Sequence, residues 1–374
     1  MHQNKKMRLA YIDNLRAMII MIVVMVHTAV TYSGIGDWYY VENKILDIGS
    51  LFFFGSFQSI MQSFDMSFLF MVAGYFVPLS YDVKGPARFI KDRLYRLGIP
   101  LVVYMLILHQ VSVKLAYPQV DFIDYYTNSI KSLRFLSGSG PLWFVLVLLI
   151  FSAIYTLMRI VFKKEISIKL PKINIHNIFL LTVIITIPAF IIRIVMPIGS
   201  AYMNLQFPFF SGYIVMFIVG IISNRLGLFD SIDYRTGTKW IMIIVTIGYA
   251  CFVSIMVFGG AINGDYQHTG GLKWQSLAYA LWESFSCVTI SIGLIGIFRN
   301  CFNRQNRLQK FLSDNCFGVY VFHAPILIAI SVSLKWLVIP PVFKFLIVGI
   351  CAIVVCYLFT YLVRKNQFMK KVFS

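Results

Sequence analysis

Tyr11-Ile-Asp-Asn-Leu-Arg16-Ala-Met-Ile-Ile-Met-Ile-Val-Val-Met-Val-His27-Thr28 sets three ionisable side chains, Asp13, Arg16 and His27, on a run of membrane-like character. At about 100° per residue, the step from Arg16 to His27 is three turns and about 20°, so both project from one helical face, with Asp13 a turn earlier. A rise of about 1.5 Å per residue puts His27 about 16 Å further along the axis, about halfway through hydrocarbon roughly 30 Å thick. An ionisable group at that depth is costly unless paired or wet, which makes His27 a functional candidate. The alternative is a histidine that only hydrogen-bonds a neighbouring helix.

The rest of the chain has the same character. Of its 374 residues 59% are hydrophobic and 13% charged, and the mean hydropathy is +0.78, a balance foreign to water-soluble domains. The expected class is an all-α polytopic membrane protein. The net charge of +18 does not point to nucleic acid, because Lys and Arg fall between apolar runs rather than in a basic patch with interleaved recognition residues. Apolar runs long enough to cross a bilayer recur around 17–33, 58–80, 97–113, 141–162, 177–196, 207–224, 240–259, 277–298, 316–334 and 342–362, predicting a bundle of about ten helices. Leu51 to Phe57, also apolar, reads either as an interfacial lead-in or as part of a longer, tilted second span. Lys5, Lys6 and Arg8 precede the first run as in a signal peptide, but no small-x-small cleavage site closes it, so a retained first span is expected.

Sorting Lys and Arg by connection gives 24 on the face carrying both termini and seven (Lys44, Lys114, Lys131, Arg134, Lys273, Lys335 and Lys344) on the other. That asymmetry predicts cytoplasmic amino and carboxyl termini for a multi-pass protein of the cell membrane. Residues 1–374 read as one membrane domain with no soluble appendage. The six cysteines form no Cys-x-x-Cys pair, which argues against a zinc site or disulfide framework, and no metal is expected. The longest outer connections, Gly34 to Ser50 and Lys114 to Gly140, are rich in Tyr, Trp, Asp and Ser, suited either to polar ligands or to an interfacial belt.

Arg88-Phe-Ile-Lys-Asp-Arg93-Leu-Tyr-Arg96-Leu-Gly-Ile-Pro100 introduces the third span, with Arg93 and Arg96 neighbours on a helical face. Two guanidiniums beside the free N–H groups of a helix start would make a phosphate clamp; the alternative is charge that meets acidic lipid headgroups. Glu283, His323, Asp65 and Arg193 also fall inside spans. Glu283 and His323 rank next after His27, as cavity lining or as helix–helix hydrogen bonds. His109 sits near the outer end of the third span, where it would line an acceptor cleft or lie at the surface.

Asp13-Asn-Leu-Arg16 with His27 after ten intervening residues, Phe68-Leu-Phe-Met-Val-Ala-Gly-Tyr-Phe76, Arg93-Leu-Tyr-Arg-Leu-Gly-Ile-Pro100, Pro141-Leu-Trp143-Phe-Val-Leu146 and Cys316-Phe-Gly-Val-Tyr-Val-Phe-His323 resemble, in order and spacing, the acyltransferase 3 family of integral membrane acyltransferases. The resemblance runs over about residues 11–362. It implies a bundle that takes an acyl group, acetyl or succinyl, from cytoplasmic acyl-CoA. The group is delivered to a hydroxyl of a cell-surface or periplasmic glycan or a lipid-linked sugar at the outer face, with glucan-modifying succinyltransferases the most similar branch. By the same resemblance His27 matches the family's essential histidine and Arg16 its partner arginine. Arg93 and Arg96, with Arg88 just upstream, match the CoA end, and Trp143 joins Glu283 and His323 as expected substrate lining. The chain departs from the pattern at Phe64-Asp-Met-Ser-Phe-Leu-Phe70, where a basic or polar residue and then Met-Pro are usual, and at Ala73, where Ser is common.

Acyl transfer to a sugar hydroxyl needs a base and stabilisation of the oxyanion, and neutral imidazole suits that proton transfer near pH 7. His27 is thus the expected base, or in a covalent variant the acyl acceptor, with Arg16 holding the donor and Asp13 orienting Arg16. A proton-coupled exporter of a glycan or lipid is the competing class. Transporters of that kind show paired, Gly/Pro-broken spans in two halves, and the sequence offers no such pair, which favours the enzyme.

Overall fold

The computed structural model describes residues 9–42, 45–162 and 174–373. Among these, ten helices are long and apolar enough to span a membrane: α1 (Ala10–Ser33), α2 (Ile48–Lys84), α3 (Pro86–Ala116), α4 (Gly140–Val161), α5 (Ile175–Val195), α6 (Phe207–Leu226), α7 (Tyr234–Phe258), α8 (Trp274–Cys301), α9 (Arg307–Ser333) and α10 (Pro341–Val363). Each coincides with one of the ten apolar runs. The described residues form no strand beyond an isolated bridge between Tyr202 and Leu205. Of the charges that gave the loop asymmetry, Lys5, Lys6, Arg8, Lys44, Lys163, Lys164, Lys169 and Lys172 lie outside the described residues.

Helix ends follow local chemistry. Gly34 leaves α1 in the left-handed region at φ 66°, which a glycine adopts without a Cβ penalty. Asp47 caps α2 by accepting from Ser50 N–H at 2.9 Å and Ser50 Oγ–H at 2.5 Å, bonds that hold its carboxyl below the usual carboxylate range. Leu51 to Phe57 belong to α2 itself, a helix of 37 residues. At about 1.5 Å per residue it is about 55 Å long, far more than the hydrocarbon thickness, so it tilts or projects beyond the bilayer. Gly85 ends α2 and Pro86 begins α3, an arrangement that suits a stop followed by a first-turn proline.

α3 is not a uniform α-helix. Two π turns, Leu94–Gly98 and Tyr104–Leu108, flank Pro100, which has no N–H to donate and whose ring crowds the carbonyl four residues back. The first π turn carries Arg96 and the second precedes His109.

α1, α2, α8 and α9 are the most enclosed spans, and α1 packs on α2, α9 and α10. α3, α4 and α7 present Val102, Ile154, Leu157 and Val245 outward, as a lipid-facing rim would. With lipid as apolar as the side chains, close backbone approach rather than hydrophobicity drives helix association. The tightest approach is that of α2 and α6, where a Cβ on Gly220 would lie 2.0 Å from the Met71 carbonyl oxygen and one on Gly74 would lie 2.2 Å from that of Phe217. Gly220→Ala should therefore force the two backbones apart and cost about 1–3 kcal/mol, as overpacking typically does. Thermal unfolding in detergent checks this against Gly55→Ala, whose Cβ would meet nothing within 4 Å. Equal melting of the two variants would show that the crossing tolerates a methyl group.

Candidate active site

His27 lies on α1 and is half-buried, whereas its partner His323 on α9 is fully enclosed. His323 Nε2 is 3.1 Å from His27 Nδ1, and His323 Nδ1 is 2.7 Å from the Tyr320 carbonyl oxygen. Tyr320 is itself fixed, since its hydroxyl donates to the carbonyl of Pro141 at the start of α4. Thus the Pro141-Leu-Trp and Cys316 to His323 motifs meet through one tyrosine, and α9 presents His323 to His27.

The connection after α1 folds back over this pair. The Trp38 ring stacks on His27 with centroids 4.1 Å apart and an interplanar angle of 25°, and it lies 6.2 Å from His323. Tyr39 Oη is 2.7 Å from His109 Nδ1 and 3.2 Å from Tyr104 Oη, on the second π turn of α3. Burial pushes the Tyr39 hydroxyl above the ordinary phenol range, so it remains a proton donor. Glu42 fastens the connection: its carboxylate pairs with the Lys344 ammonium on α10, and its N–H donates to the Thr31 carbonyl at 2.9 Å. Lys344, counted by sequence among the loop charges, is 1% exposed and is an internal anchor. Sequence reasoning saw in Trp38 and Tyr39 only an aromatic-rich connection. The available signal was their position a few residues after a glycine that reverses α1 beside His27.

At the face carrying the termini, Arg16 and Arg96 both lie close enough to Arg93 to bear on its charge, so α1 and α3 together build a cluster of three arginines. The Arg93 guanidinium lies 5.2 Å from the Phe89 ring centroid. Asp13 is 3.8 Å from Arg16, at the long limit of an ion pair. Arg88 is exposed and stands near Asp92, which Lys84 engages at 2.6 Å. One expectation is corrected: α3 begins at Pro86, two turns before the arginine pair, and the Leu94 N–H is already bonded to the Ile90 and Lys91 carbonyls. Free amides of a helix start are therefore not available at Arg93 and Arg96, and any anion clamp there rests on the guanidiniums.

The remaining candidates divide. Glu283 faces Arg193 across α8 and α5 in a buried ion pair, with the guanidinium 5.3 Å from the Phe209 ring centroid. It also borders a cavity of about 20 Å³ lined by Gln62, Ser67, Ser211 and Tyr213, room for about one water. Trp143 joins an aromatic cluster, 5.3 Å from Tyr213 and 6.4 Å from Phe70. Asp65, 3% exposed, accepts from Met66 N–H at 2.5 Å.

The arrangement offers an imidazole held by a second imidazole in the Ser33 half of α1, roofed by an indole, and three arginines toward the other end of the same helix. That is suited to moving a proton inside the bundle and to binding an anion at its end. No curated protein and no solved structure matches the chain. The family model Acyl_transf_3, described as an acyltransferase domain, matches residues 9–361. Since that range takes in His27, the arginines of α1 and α3, the Tyr320–His323 turn and all of the spans but the last two residues of α10, the chain belongs to this acyltransferase family.

Proposed function

We propose that the protein transfers an acyl group, acetyl or succinyl, from acyl-CoA at the cytoplasmic face to a hydroxyl of a glycan or lipid-linked sugar at the outer face of the cell membrane. The observation that carries this reading is the common helix: Arg16, within the three-arginine cluster, and His27, within the histidine pair, share one face of α1. Coenzyme A bears its phosphates and its thioester at opposite ends of a long arm, and α1 offers a contact for each end. The 24-to-seven Lys/Arg asymmetry supports placing the arginines and both termini in the cytoplasm.

In the proposed reaction the acceptor oxygen attacks the thioester carbonyl as His27 takes the hydroxyl proton. The C–S bond then breaks, and the imidazolium returns the proton to the departing thiolate, so the products are an ester and free CoA. A transient acyl-imidazole on His27 is the two-step form of the same exchange. Arg93 and Arg96, aided by Arg16, would hold the CoA phosphates.

Replacing Arg93 and Arg96 together with alanine should weaken acyl-CoA binding at least tenfold, because a charge-assisted contact is typically worth about 1.5–3 kcal/mol. Lysine at both positions should recover only part of it, having lost the bidentate fork. Calorimetric titration of the protein in nanodiscs with acyl-CoA gives the affinity. Unchanged binding in the alanine variant would leave the pair as charge facing lipid headgroups, and export of unmodified glycan without label from acyl-CoA would favour the exporter.

A further inference from the structure

We infer that His323 is a positioning residue that holds His27 in the tautomer with its proton on Nδ1, leaving His27 Nε2 as the free base. The inference rests on the acyl-transfer role proposed for His27, but its geometry stands apart from it. A backbone carbonyl can only accept, so the 2.7 Å contact with the Tyr320 oxygen requires a proton on His323 Nδ1. A neutral imidazole carries one N–H, so His323 Nε2 then offers only a lone pair. His27 Nδ1, 3.1 Å from that lone pair, must donate to it.

The order is fixed from outside the pair. Tyr320 is anchored through its hydroxyl to Pro141, which ties the turn of α9 that carries the accepting carbonyl to the start of α4. Trp38 stacks along the face of the His27 ring, and a half-turn of that ring would exchange Nδ1 for a carbon and break the bond to His323. When Nε2 takes the acceptor's proton, the Nδ1–H bond to His323 becomes charge-assisted and strengthens, without either side chain moving. His323 thus acts through His27 and touches no reacting atom.

The test uses full-length protein with ¹⁵N-labelled histidine in nanodiscs, where the nitrogen shifts of each ring distinguish the two tautomers, and His27 is assigned by the signal lost in His27→Ala. The expected result is an Nδ1–H tautomer for His27 in the unmodified protein and in His323→Gln, whose side-chain oxygen replaces the Nε2 acceptor, and loss of that preference in His323→Leu. Turnover should fall about 10²-fold or more in His323→Leu with acyl-CoA affinity unchanged, and recover to within about tenfold in His323→Gln. An Nε2–H ring at His27 or a doubly protonated His323 in the unmodified protein overturns the inference, as does full turnover in His323→Leu. Absence of acyl transfer by the unmodified protein, with the Nδ1–H tautomer observed, would instead overturn the functional reading alone.

Discussion

His27→Ala is expected to cut transfer of label from acyl-CoA to an outer glycan by about 10²–10⁴-fold, the usual cost of losing a general base, and by more if the imidazole carries the acyl group itself. Acyl-CoA affinity should change little, because the donor is proposed to be held by Arg93 and Arg96 on α3 with Arg16, which stands about 16 Å from His27 along α1. The fold should also persist: His27 is half-buried, and the neighbouring His323 keeps its bond to the Tyr320 carbonyl. The assay must follow the acyl group rather than glycan export, since an exporter would also fail on losing an intramembrane histidine. A folded His27→Ala protein that still transfers label near the normal rate removes His27 from the reaction, whatever the family.

The second large effect is on stability. Arg193 is fully buried, and among the described residues its Nε and Nη1 have no hydrogen-bond partner, so Glu283 is the carboxylate that compensates its charge. Glu283→Ala leaves that guanidinium buried without its counter-ion, which typically costs about 3–5 kcal/mol. Removing both charges, as Arg193→Met with Glu283→Leu, should restore most of the loss, since an apolar pair of similar volume avoids the desolvation of two ions. Unfolding of purified protein in detergent measures both. A Glu283→Ala variant as stable as the parent would mean that water or lipid already screens Arg193.

The spans and the alignment of Arg16 with His27 were legible because both depend on helical period and hydropathy, which are local. The pairing of His27 with His323 was not: 296 residues separate them, and only the packing of α1 on α9 joins the two. Arg193 and Glu283 were each visible as costly intramembrane charges, yet nothing local shows that they compensate one another across 90 residues. The expected amides at Arg93 and Arg96 failed for a reason that was in the sequence, since Gly85-Pro86 already marks a helix boundary two turns earlier. Trp38 and Tyr39 escaped because a returning connection has no period to read, and the Glu42–Lys344 bond that sets its path joins residues 302 apart.

The indole over His27 bears on a problem that any enzyme working across a bilayer must solve. A passage that admits a thioester from one face and a sugar from the other is also a passage for protons and ions, and a cell membrane that leaks them loses its energised state. With Trp38 stacked on His27 and the segment that carries it tied by Glu42 to α10, the indole covers one face of the imidazole. On the proposed reaction, an acceptor that approaches His27 across that face would have to displace the indole, which would couple opening to the presence of a hydroxyl. On the same reading, the indole would limit the access of bulk water to a thioester at His27 and so the futile hydrolysis of the donor.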